Sequence, residues 1–183
     1  MSLLLKNIVA LFRGNLTCGF NKILKPASIS YGASIRIFNG VAITLRNKGK
    51  MRFGKKVKID SRAVLASNGG EICLGDNVGI GRNNIIVSLE KIEIGGGTTL
   101  GPNVLVYDHD HEFDADSGVK QKEYRRSGVS IGKNCWIGAN TVILRGTVIG
   151  DNCLVGAGCV LKGTFPSGSK IVQKRNTTVI SKD

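Results

Sequence analysis

An all-β fold, a triangular solenoid of short parallel strands, is predicted by three observations. An aliphatic residue recurs every six positions, at Ile131, Ile137, Ile143, Ile149, Val155 and Leu161. The same phase appears upstream, at Ile94, Leu100 and Val106 and at Leu74, Ile80 and Ile86, with a weaker set at Phe53, Ile59 and Leu65. Glycine is abundant, 25 of 183 residues, and often follows the aliphatic position. A period of six fits neither a 3.6-residue helix nor an isolated alternating strand of this length. It fits three strands per coil, each hexad forming one side of a prism whose apolar residues stack on those of the next coil.

The remaining elements follow in chain order. Residues 2–13, SLLLKNIVALFR, have helical spacing, with Leu4, Ile8, Leu11 and Phe12 on one face and Lys6 and Arg13 outside it. Such a helix either caps the open end of the solenoid or lies as a basic amphipathic helix on the inner membrane. We therefore take residues 1–28 as a helical cap. Residues 29–172 are taken as the solenoid, with coils starting at Phe53, Leu74, Ile94, Ile131 and Ile149 and a vaguer one near Ile29 or Ile35. A long insertion, 107–130, interrupts the hexads and carries both histidines of the chain; a loop of that length in a compact solenoid is either functional or disordered. The tail 173–183 leaves the phase; Ile171, Val172, Val179 and Ile180 are candidates for a last strand or helix.

Composition narrows the function. The balance of 26 Lys+Arg against 13 Asp+Glu gives a net charge of +13, which predicts an anionic partner such as a CoA-type phosphate, a membrane leaflet or nucleic acid. No basic-plus-aromatic strand pattern supports nucleic acid. The cysteines, Cys18, Cys73, Cys135, Cys153 and Cys159, are odd in number and lack CxxC spacing, so free thiols in a reducing compartment are expected. The start, MSLLLKNIVALFRGN, lacks a long apolar run and a cleavage site, and the cytoplasm is the expected location.

The run Ile131–Leu161, with CWIG at Cys135–Gly138 and VGAGCVL at Val155–Leu161, resembles the hexapeptide-repeat acetyltransferases, most of all those that O-acetylate sugars of surface polysaccharides. The resemblance implies a left-handed parallel β-helix, acetyl-CoA as co-substrate, no metal, a sugar acceptor and a homotrimer with sites between subunits. The stretch His111-Glu112-Phe113-Asp114, ten positions after Gly101, resembles the family's histidine motif and implies that His111 is the catalytic base. His109 then positions His111 or binds the acceptor, as does Asp108, and the loop carboxylates can fix an imidazole tautomer. A base with a pKa near the working pH is what a sugar hydroxyl needs to attack a thioester.

The acceptor-binding asparagine of the family has no clean match; Asn83 and Asn84 are the nearest candidates. For the cofactor the resemblance implies Ala139 and Ala157, small residues beside the pantetheine arm, and Lys162, Gly163 and Lys174 near the phosphates. Trp136 is expected at a corner or a subunit contact. Competing readings are an amino-sugar N-acetyltransferase, a serine acetyltransferase and a non-catalytic β-helix scaffold.

Overall fold

The computed structural model describes residues 2–24 and 27–174. It is a parallel β-solenoid preceded by one helix, α1 (Leu3–Leu24). Three sheets form the faces of the prism. The first has seven strands, from Ile29–Tyr31 to Thr164–Phe165; the second also has seven, from Arg36–Ile37 to Lys170–Ile171; the third has six, from Ala42–Arg46 to Val160–Leu161.

The hexad residues form the core as expected. On the first face Tyr31, Phe53, Leu74, Ile94, Ile131, Ile149 and Phe165 stand in register. On the second, Ile37, Ile59, Ile80, Leu100, Ile137, Val155 and Ile171 do the same. All of these side chains are buried except Tyr31, Phe165 and Ile171 at the two ends, which are partly buried, and full burial of an aliphatic or aromatic side chain contributes about 1.5–3 kcal/mol. The vague early coil is real, built by Ile29–Tyr31, Arg36–Ile37 and Ala42–Arg46. Its pattern is blurred because early coils are longer. Successive first-face partners are 22, 21 and 20 residues apart from Tyr31 to Ile94, against 18 from Ile131 to Ile149. The extra residues lengthen third-face strands such as Val64–Asn68 and their turns. Lys170–Ile171 adds the last strand; Val179 and Ile180 lie outside the described residues.

The corner after the second face carries a ladder of side-chain amides. Asn83, Asn103 and Asn140 all have left-handed backbone, with φ of 57, 58 and 58°, a region that asparagine tolerates better than most residues. Asn83 Nδ2 donates to Asn103 Oδ1 at 3.1 Å, and Asn103 Nδ2 donates to Asn140 Oδ1 at 3.1 Å.

α1 runs eleven residues beyond the expected end at 13. It packs on the solenoid end through Ala10, Gly14 and Cys18, all buried. These positions are four apart and make one narrow side of a helix. Gly14 lies so close to the Ile35 carbonyl that any β-carbon there would collide with it. Of the apolar face read from the sequence, which the capping alternative alone would turn inward, Leu11 is half-buried and Leu4, Ile8 and Phe12 are 71, 54 and 68% exposed. The helix therefore does cap the solenoid, but with its small residues inward.

Candidate functional site

The insertion is not an irregular loop. Val106 ends its hexad, and the chain then leaves the prism as an antiparallel hairpin, His109–Asp114 against Gly118–Arg126. The Asp114 carboxylate closes the tip by accepting from the Asp116 and Ser117 amides at 3.1 and 2.9 Å. Other acidic residues of the segment are also engaged: Glu112 with Arg125 Nε at 2.8 Å, and Asp110 with Arg145 Nε at 2.5 Å. Arg145 belongs to the next coil, so this pair ties the hairpin to the solenoid. Among the described residues no group of three His, Cys, Asp or Glu is arranged to hold a metal ion.

At the hairpin root sits Asp108, wholly buried. Its Oδ2 accepts from Ser88 Oγ at 2.7 Å and from the Glu90 amide at 2.9 Å; its Oδ1 accepts from the Leu89 amide at 2.8 Å. These donors come from the preceding coil. Oδ1 also lies 3.0 Å from His109 Nδ1. Burial opposes the charge, but the bonds from His109, Leu89, Ser88 and Glu90 outweigh it and hold the carboxyl below its ordinary range. An ionised partner fixes the proton on Nδ1 and leaves the lone pair on Nε2. The imidazole is only 12% exposed and stands edge-on to Tyr107 and Tyr124, with ring centroids at 5.9 and 5.6 Å.

His111 has a different setting. It is exposed, its Nδ1 is 3.5 Å from the Lys120 carbonyl oxygen, and its ring tilts on Tyr124 at 4.5 Å. No carboxylate orients it among the described residues. A carboxylate thus orients His109, a support that His111, the expected base, lacks among the described residues. Asp108, expected to bind the acceptor, is buried and engaged with His109, Ser88, Leu89 and Glu90. Sequence reasoning missed Ser88, Tyr107 and Tyr124; nothing in a hexad pattern says which turn faces the hairpin root.

The remaining candidates separate. Asn83 is a rung of the corner ladder, bonded to Arg62 Nε at 2.9 Å as well as to Asn103. Asn84 is buried inside the prism, where its Oδ1 accepts from the Val104 amide at 2.8 Å and its Nδ2 has no partner among the described residues. Neither joins the two histidines. Ala139 and Ala157, by contrast, stack on successive coils, with the Gly158 amide donating to the Ala139 carbonyl at 2.7 Å. They line an apolar groove of about 410 Å³ with Trp136, Pro102 and Leu154. Trp136 is 62% exposed and forms one wall. Lys162 and Gly163 follow the last third-face strand, on the edge that carries the hairpin root, away from this groove. Lys174 is exposed at the end of the described residues.

Comparisons with known proteins agree with this architecture. The bacterial transferase hexapeptide family (six repeats) matches residues 128–163. Nodulation protein L of Rhizobium leguminosarum bv. viciae is 39% identical over 146 residues, covering 80% of this chain and 74% of that one. WbbJ of Escherichia coli, provisionally named a lipopolysaccharide biosynthesis O-acetyl transferase, is 28% identical over 177 residues, covering 87% and 90%. The chain spans only 50% of the length of another relative, a probable acetyltransferase of Mycobacterium tuberculosis, at 30% identity over 152 residues. Among solved structures, AntD, an N-acyltransferase from Bacillus cereus in complex with dTDP and 3-hydroxybutyryl-CoA, superposes with a TM-score of 0.68 at 20% identity, covering 81% of this chain and 80% of that one. With its hexad core, its hairpin and these relatives, the chain belongs to the hexapeptide-repeat acetyltransferase family.

Proposed function

We propose that the protein transfers an acetyl group from acetyl-CoA to a sugar hydroxyl, in the building of a surface polysaccharide, with His109 as general base. The observation that carries this reading is the Asp108–His109 pair at the hairpin root. His109 Nε2 takes the proton of the acceptor hydroxyl as its oxygen attacks the thioester carbonyl. The new C–O bond forms, the C–S bond breaks, and the departing CoA sulfur takes the proton back from the imidazolium. Asp108 keeps the imidazole in the required tautomer and stabilises its charged form.

The groove of Ala139 and Ala157, where small side chains leave room for a pantetheine arm, supports acetyl-CoA as the co-substrate. The acceptor class draws support from the name of the WbbJ relative. A homotrimer fits because hairpin root and groove lie on different edges of one prism, and a neighbouring subunit can bring them together. The five free thiols suit the cytoplasm.

Acetyl-CoA-dependent thiol release, measured over a panel of sugars and amino sugars, tests the reading. His109→Ala is expected to lose about a hundred-fold or more in kcat, and His111→Ala far less. The opposite order would return the role of base to His111. Release only with amino acceptors would replace the O-transfer reading by N-transfer.

A further inference from the structure

The outward face of α1 is unusual for a surface helix. Phe12, Leu16 and Phe20 are four apart and stand two residues out of step with the buried Ala10, Gly14 and Cys18. Two residues are about 200° of helical rotation, so the two rows lie on opposite sides. Leu4, Leu5, Ile8, Phe12, Leu16 and Phe20 are between 47 and 71% exposed, and Ile23 is 80% exposed. The helix, 22 residues and about 33 Å long at 1.5 Å per residue, thus turns an apolar stripe outward along its length. Folded monomers rarely expose so continuous an apolar patch without a partner.

Its margin identifies that partner. α1 contains no acidic residue. Lys6 and Arg13, seven apart and so on one line, border a groove of about 580 Å³ between the helix and the second face of the solenoid. Arg36, Lys58 and Arg82 line the same groove; its one acid, Asp60, lies 3.4 Å from Lys58. An apolar stripe edged by cations complements an anionic bilayer surface, acyl chains below and phosphates at the rim. A second copy of the chain complements it poorly, because pairing α1 with α1 brings these cations together with no acid in either helix to offset them. No described helix is long and apolar enough to cross a membrane, and lying in the interface requires no crossing.

We infer that α1 is an in-plane anchor that docks the solenoid end on an anionic lipid surface, with the Phe12–Leu16–Phe20 row in the acyl boundary and Lys6 and Arg13 at the headgroups. The small-residue side of α1 is what makes this possible: it lets the helix bind the solenoid without using its apolar side.

Cosedimentation of the full chain with phosphatidylcholine vesicles, with and without phosphatidylglycerol, tests the inference. The protein should pellet with the anionic vesicles, and added salt should weaken that binding. The triple change Leu5→Gln, Phe12→Gln and Leu16→Gln, all at exposed positions, should abolish pelleting while the melting temperature stays close to wild type. Lys6→Glu with Arg13→Glu should lower the partition coefficient about ten-fold or more. Absence of wild-type binding to anionic vesicles would overturn the inference, as would undiminished binding of the triple variant. A solution assembly that the triple variant dissociates, without vesicle binding, would assign the face to a second copy instead.

Discussion

Asp108 Oδ1 stands 3.0 Å from His109 Nδ1, and the same carboxylate accepts three further bonds from Ser88, Leu89 and Glu90. The imidazole is thus oriented by a group that the preceding coil immobilises. A histidine on a hairpin would otherwise sample several rotamers; this one is held at its root by the rigid solenoid.

Asp108→Asn should separate orientation from binding. The amide can present the wrong partner to Nδ1 and cannot stabilise the imidazolium. The expected outcome is a kcat lowered by at least about ten-fold, with acetyl-CoA affinity unchanged by calorimetry. Unchanged kcat would remove Asp108 from the catalytic arrangement.

The same carboxylate should shape acid stability. Its pKa is depressed in the folded state, so the unfolded chain binds more protons in the acid range. The stability it contributes is present above the unfolded value, about 3.9, and is lost as pH falls through the folded value. Urea denaturation across pH should show wild type losing its advantage over Asp108→Asn on acidification. Parallel curves from neutral to acid pH would contradict this. The comparison is made as a difference, since Asp60, Glu112 and Asp114 are also depressed and remain in both proteins.

Asn83 should prove structural. Its φ of 57° is one that glycine adopts freely. Asn83→Gly is expected to keep the acceptor KM and to cost about 1 kcal/mol for the ladder bonds. Asn83→Val should cost roughly 1–3 kcal/mol from the strained backbone. A large rise in acceptor KM for Asn83→Gly, with stability intact, would restore the acceptor-binding role.

Gly14→Ala should loosen α1. The new methyl would collide with the Ile35 carbonyl, and relieving such overpacking typically costs about 1–3 kcal/mol. Hydrogen exchange should show early loss of protection in Leu3–Leu24, with the later coils unchanged. Equal protection in both proteins would mean that the helix is not held by this contact.

The hexads alone determined the solenoid, the identity of its core and the place where the chain leaves it. A stacked core repeats its demand for an aliphatic side chain at every coil, so Ile131 to Leu161 spell out the geometry in one dimension. Ala139 and Ala157 were singled out by the family resemblance and not by the hexads; one coil apart in sequence, they line one groove in space. Tertiary structure decided the rest. Which histidine receives a carboxylate depends on Ser88, Leu89 and Glu90, 18 to 20 residues earlier, gripping Asp108 across a coil boundary. Which side of α1 faces the solenoid depends on how closely Gly14 meets Ile35. Both are contacts between segments out of phase with the repeat, and a periodic pattern carries information only about what is in phase with it.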